Sequence, residues 1–97
     1  MTAESSLRRE ITAVVKDETG FHTRTAALFA KRAGAFHCRI RVLFQNNKEA
    51  NGKSMLGLMA LGVKTDASIT IIAEGIDAEE AVAALGDLVE KNFGPEL

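Results

Sequence analysis

The chain has 97 residues, 46% of them apolar, with 12 basic and 13 acidic side chains and a formal net charge of −1. That describes one compact domain with a single core, too small for two. The near-neutral balance excludes nonspecific nucleic-acid binding, which needs a strongly basic face. With no Tyr or Trp present, stacking platforms for single strands would have to come from five Phe, most of them in apolar-periodic positions.

Residues 1 to 8 read as a frayed polar leader and residues 9 to 97 as the domain. Met1 to Ser6 has no apolar run behind it, which predicts no secretory signal, and no stretch approaches the length needed for membrane insertion. Ile11, Ala13 and Val15 alternate with Thr12, Val14 and Lys16 and predict a first strand, which Asp17-Glu18-Thr19-Gly20 leaves as a turn. From Thr23 the spacing becomes helical. Ala26, Phe29, Ala30 and Ala33 share one face, Lys31 and Arg32 lie outside it, and Gly34 falls at the C′ position. Cys38, Ile40, Val42 and Phe44 then alternate with His37, Arg39 and Arg41, so one face of the second strand is buried and the other wet, as in an antiparallel sheet covered on one side. Gln45-Asn46-Asn47 signals a hairpin into a short strand around Lys48 to Asn51.

Gly52-Lys53-Ser54 leads into a short helix, Met55 to Leu61, closed by Gly62, with Ser54 as its N-cap. Leu58 and Leu61 share one side of it; Met55, Leu56 and Met59 cluster on another, either as an exposed docking surface or beneath a neighbouring segment. A fourth strand, Ser68 to Ala73, precedes a helix starting at Asp77, with Glu80 as a capping-box partner. Ala78, Ala81, Val82, Leu85, Leu88 and Val89 keep its period, and Gly94-Pro95 ends it. The order strand, helix, strand, strand, helix, strand, helix predicts an α+β domain, a small and mainly antiparallel four-stranded sheet with three helices on one face.

Gly20-Phe21-His22-Thr23-Arg24 places a histidine at a helix start. Imidazole is neutral and nucleophilic near pH 7, and a phosphoryl group on it would be met by unpaired N–H groups and the positive end of the helix dipole. Arg24 adds a charge-assisted partner for phosphate oxygens. The residues alone leave open a histidine that only caps the helix. No metal or cofactor is expected, since His22, His37 and Cys38 show no ligand spacing. Cys38 reads as a small buried hydrophobe. A lone cysteine with no disulfide partner fits a reducing cytoplasm.

Two segments resemble the HPr family, the histidine-containing phosphocarriers of the bacterial phosphoenolpyruvate-dependent sugar phosphotransferase system. Gly20-Phe21-His22-Thr23-Arg24-x-Ala26 looks like its active-site signature, and Lys53-Ser54-Met55-Leu56-Gly57-Leu58-Met59-Ala60-Leu61-Gly62 looks like its regulatory-serine segment; the likeness runs over about residues 9 to 92. The resemblance implies an HPr-like open-faced sandwich. It also implies that His22 is phosphorylated on Nδ1 by phosphorylated enzyme I and passes the group to a histidine of an enzyme IIA domain, with Arg24 orienting and neutralising it. Partners would dock over Thr23, Thr25, Lys53, Met55, Leu56 and Met59, and an HPr kinase/phosphorylase would act on Ser54. The expected state is a cytoplasmic monomer. With no G-x-x-x-x-G-K-[ST] loop, the phosphoryl donor is a protein rather than bound ATP.

Thr25 departs from the family pattern, which usually has proline there. A threonine restores an N–H and adds a hydroxyl, which predicts a looser loop with one extra donor for phosphoryl oxygens. The departure keeps alternatives open: a regulatory paralogue working through protein binding and Ser54 phosphorylation, or a carrier in a nitrogen-related branch.

Overall fold

Strands and helices form where the periodicity places them, over residues 7–45 and 47–94, the parts that this computed structural model describes. In order they are β1 (Arg8–Val15), α1 (Thr23–Gly34), β2 (Arg39–Phe44), β3 (Lys48–Asn51), α2 (Met55–Ala60), β4 (Ala67–Glu74) and α3 (Ala78–Glu90). The sheet order is β1-β4-β2-β3, and every neighbouring pair is antiparallel.

The register explains the core. Ile71 of β4 lies opposite Ile11 of β1 on one side and Val42 of β2 on the other. Because strand side chains alternate, Ala13, Val15, Ile40, Val42, Ile69 and Ile71 all fall on one face, and none is more than 2% exposed. Phe29 of α1 and Leu85 of α3 pack onto that face, both fully buried. Burial of each such large side chain stabilises the fold by roughly 1.5–3 kcal/mol. On the opposite, wet face Ile72 is nevertheless buried, flanked in register by Glu10 and Arg41. Arg41 pairs with Glu49 at 3.6 Å and Glu74 at 3.7 Å, and Arg8 with Glu10 at 3.2 Å. Solvent-accessible pairs of this kind contribute little singly.

Several boundaries differ from those expected. Arg8, placed in the leader, already belongs to β1, and the Leu7 carbonyl accepts the Gly75 N–H at 2.9 Å; residues 1–6 lie outside the described residues. At the β2–β3 hairpin, Gln45 takes the positive φ of 60°, and Asn46 lies outside the described residues. Gly34 is the last residue of α1 rather than a left-handed C′ residue, and Ala35 follows with φ −76°. Helix α3 stops at Glu90, before Gly94. Asn92 and Phe93 turn left-handed at φ 60° and 62°, and Phe93 is driven into the core with 1% exposure. The expected stop at Pro95 lies outside the described residues.

Asp77 is the N-cap residue of α3 but makes no side-chain cap hydrogen bond. Its carboxylate instead accepts the N–H groups of His37 and Cys38, at 2.8 and 2.9 Å, and so ties the start of β2 to the start of α3. Burial raises the Asp77 pKa, but those donated hydrogen bonds outweigh it and leave the carboxyl below its ordinary value. Cys38 is buried, and its thiol is pushed up to about 11 by desolvation first and by Asp77 second.

At Gly20, φ is +67° and a Cβ would overlap the Val63 carbonyl oxygen, which accepts the Phe21 N–H at 3.1 Å. Gly20→Ala is therefore expected to lower stability in urea by roughly 2–4 kcal/mol, since both the backbone conformation and the contact forbid a side chain. Gly34 is helical, and a methyl group on its Cα would meet nothing within 4 Å. Gly34→Ala is expected to raise stability by roughly 0.5–1 kcal/mol in the same experiment.

Candidate functional site

The site begins with Phe21. Its ring is buried and meets Phe29 of α1 edge-on at 5.6 Å and Phe93, beyond α3, at 6.0 Å. With Phe21 inserted and its N–H held by Val63, the next residue, His22, emerges at the surface as the N-cap of α1 in extended conformation, its side chain 38% exposed.

The loop is then closed by Thr25. Its hydroxyl donates to the Gly20 carbonyl at 2.7 Å and accepts the His22 N–H at 3.1 Å, and the residue is fully buried. This overturns two expectations. The threonine tightens the loop instead of loosening it, because a side chain with a donor and an acceptor bridges two backbone groups that proline would leave unpaired. Its hydroxyl is also committed inward, so the hydroxyl is no donor to a phosphoryl group, and the buried side chain forms no part of a docking surface. Thr23 and Arg24 beside it are exposed.

The helix start is open to an anion at its outermost donors. The first-turn N–H groups of α1 have no acceptor within the helix, and a reciprocal cap spans His22 and Thr25, with the imidazole facing the Thr25 N–H and the Thr25 hydroxyl accepting the His22 N–H. The first turn has no acidic side chain, while Lys31 and Arg32 lie in the last turn. By contrast, α3 has Glu79 and Glu80 in its first turn. No side chain of α1 itself thus offsets the positive end of its dipole at His22.

Asp17, legible in the sequence only as a turn residue, is the third member of the site. Its side chain is 10% exposed. Oδ1 accepts the Thr19 N–H at 2.9 Å and the Thr19 hydroxyl at 2.7 Å, an Asx turn. Oδ2 accepts Arg24 Nη2 at 2.7 Å, and His22 Nε2 stands 3.6 Å from Oδ1. The Thr19 hydrogen bonds, followed by the charges of Arg24 and His22, hold the carboxyl below its ordinary value against the opposing effect of burial. The signal available in the sequence was the Asp-x-Thr-Gly spacing; what it could not show is that the turn returns the carboxylate to within reach of a residue seven positions on.

The second segment lies against the first. Helix α2 packs on α1, and the loop that follows it supplies the Val63 carbonyl. Ser54 is the expected N-cap, its hydroxyl accepting the Gly57 N–H at 3.0 Å. Leu58 and Leu61 are buried, Met55 and Met59 are half-buried against the core, and Leu56 is 71% exposed. The apolar surface is therefore partly open, centred on Leu56. Lys53 is exposed, with Nζ on the Phe36 carbonyl at 2.7 Å.

An exposed imidazole at a helix start, with a guanidinium and a carboxylate beside it, is an arrangement suited to taking up an anionic group. Such a domain is a carrier of a transferable group, and the group it suits is phosphoryl.

Comparison with known proteins agrees. A family model described as "PTS HPr component phosphorylation site" matches residues 9–91. The phosphocarrier protein HPr of Mycoplasma genitalium is 39% identical over 84 residues, spanning 87% of this chain and 96% of that protein. The crystal structure of HPr-C-His from Thermoanaerobacter tengcongensis superposes with a TM-score of 0.85 at 46% identity, covering 92% of this chain and 99% of that one. Crh, the Bacillus subtilis catabolite repression HPr, has 36% identity and a TM-score of 0.70 over 80% of this chain and 88% of its own. The chain belongs to the HPr family, the phosphocarriers of the phosphotransferase system, and shares its open sheet covered by three helices.

Two outcomes are expected of the loop. Thr25→Val, which strands the Gly20 carbonyl and the His22 N–H, lowers stability by roughly 1–3 kcal/mol in urea. The Asp17 carboxyl is depressed in the folded state, so its contribution is full above its ordinary value of 3.8 and is lost as pH falls through the lower folded value. The urea midpoint should drop across that acid window, and the drop should be smaller in Asp17→Asn.

Proposed function

We propose that His22 accepts a phosphoryl group on Nδ1 from phosphorylated enzyme I and passes it to a histidine of an enzyme IIA domain. The observation that carries this reading is the orientation of the ring, with Nε2 towards Asp17 at 3.6 Å. A proton on Nε2 is favoured there by the carboxylate, which leaves the lone pair on Nδ1.

In the transfer, that lone pair forms the new P–N bond while the bond from phosphorus to the donor breaks and its electron pair leaves with the donor. The Nε2 proton stays on the ring. The phosphoryl oxygens are met by the first-turn N–H groups of α1 and by the Arg24 guanidinium, which supply the positioning and charge stabilisation that phosphoryl transfer chiefly needs. Donation to the acceptor runs the same steps in reverse. A relay of this kind consumes no cofactor, and the protein acts as a covalent carrier between two partners, as a cytoplasmic monomer.

Both partners dock over Thr23 and the partly open surface of Met55, Leu56 and Met59, with Lys53 at its edge. The half-exposed methionines suit this, because an unbranched thioether repacks against differently shaped partners. Phosphorylation of Ser54 by an HPr kinase/phosphorylase would place about −1.5 to −2 charges beside that surface and weaken docking of acidic partners. A purely regulatory role would leave the His22, Arg24 and Asp17 arrangement without a task.

Incubation with phosphoenolpyruvate and enzyme I of the same organism should add one phosphoryl group by intact mass. The addition should disappear on brief acid treatment and be absent in His22→Ala. An acid-stable addition, or one that survives His22→Ala, would place the group elsewhere and overturn the reading.

A further inference from the structure

Transfer through His22 asks Arg24 to meet phosphoryl oxygens, yet in the unloaded protein its Nη2 is already bound to Asp17 Oδ2 at 2.7 Å. A phosphoryl group on His22 Nδ1 would bring further negative charge about one ring-width from Asp17, whose other carboxylate oxygen lies 3.6 Å from Nε2 of the same ring. Two anions would then compete for one guanidinium. The carboxylate cannot move aside with the arginine, because Oδ1 is fixed by the N–H and the hydroxyl of Thr19. Nor is it readily neutralised by protonation, since those same hydrogen bonds favour the ionised form.

We propose that Asp17 is a positioning residue of the phosphoryl site, a resting anion that holds Arg24 beside His22 while the carrier is unloaded and gives the arginine up to the phosphoryl group on loading. The proposal rests on the carrier reading above. It assigns the two carboxylate oxygens separate tasks. Oδ1 builds the turn, which an asparagine could do equally well; Oδ2 needs the charge, and its partner is Arg24.

Two consequences follow from the competition. While unloaded, Arg24 is kept within reach of the histidine instead of sampling solvent, which removes part of the ordering cost of transfer. On loading, the phosphoryl group must draw Arg24 away from a fixed carboxylate, and that lost pairing counts against the loaded state. The loaded state is then less favourable than the histidine and arginine alone would make it, and onward donation is correspondingly more favourable. No bond beyond the P–N exchange already described is made or broken, and the swap is one of hydrogen-bond partners.

The test is the loading equilibrium, at a pyruvate-to-phosphoenolpyruvate ratio chosen so that enzyme I leaves the wild-type protein half loaded. Asp17→Asn retains an acceptor for the Thr19 N–H and removes the charge, together with the acceptor that faces Arg24. It is expected to raise the ratio of loaded to free protein by roughly tenfold or more, the scale of one charge-assisted hydrogen bond. Asp17→Ala should shift it in the same direction. In an Arg24→Gln background the effect of Asp17→Asn should shrink to less than about twofold, because the shared partner is gone. Circular dichroism of each variant separates these shifts from loss of fold.

A shift confined to Asp17→Ala would assign Asp17 to the turn alone and overturn the proposal. So would an unchanged or lowered ratio in Asp17→Asn, or an effect of full size in the Arg24→Gln background. Failure of the wild type itself to load, with an enzyme I shown to phosphorylate itself, would instead remove the carrier reading and this inference with it.

Discussion

The insertion of Phe21 between Phe29 and Phe93 is the contact on which the site depends. A histidine at a helix start is useful only if the preceding chain is held still, and a surface loop cannot do that through its own backbone. Here one buried ring anchors the loop to α1 and to the segment after α3, and the Phe21 N–H anchors it to the loop after α2. Three helices therefore fix one imidazole. Gly20 allows the approach, since no side chain fits between this backbone and Val63.

The same contact explains the end of α3. Two consecutive non-glycine residues in the left-handed region cost on the order of 1–3 kcal/mol each. Burial of the Phe93 ring returns roughly 1.5–3 kcal/mol, with a further 0.5–1.5 kcal/mol for its edge-to-face contact with Phe21. Set against that, the Gly94-Pro95 signal sits too late: a helix extended to Gly94 would carry Phe93 out of the position from which it meets Phe21. The stop signal was legible in the sequence, but the contact that moved it joins residues 21 and 93 and could not be. Periodicity was a sufficient guide elsewhere, as in β2, where Ile40, Val42 and Phe44 are buried and Arg39 is exposed.

Local position was legible at His22, the N-cap of α1, and at Ser54, the N-cap of α2. Residues were misread where a side chain turns back on the chain. Thr25 was expected to work outward and instead bridges Gly20 and His22. Asp77 was expected to cap its own helix and instead caps the chain entering β2. Asp17 was expected only to make a turn. All three are short side chains with more than one hydrogen-bonding option, and tertiary contacts decide which option is used.

Asp77 also reinforces the character that burial gives the one sulfhydryl in the chain. The Cys38 thiol is shielded from solvent and kept protonated well above neutral pH, and its own backbone N–H is held by the same carboxylate. Alkylation requires both access and thiolate, and the native state withholds both. Reagent uptake at Cys38 is therefore gated by separation of β2 from the start of α3, so its rate is a clock for local opening at that end of the sheet. The protein carries its own reporter of conformational fluctuation, without an added label and without either of the absorbing aromatics that it lacks.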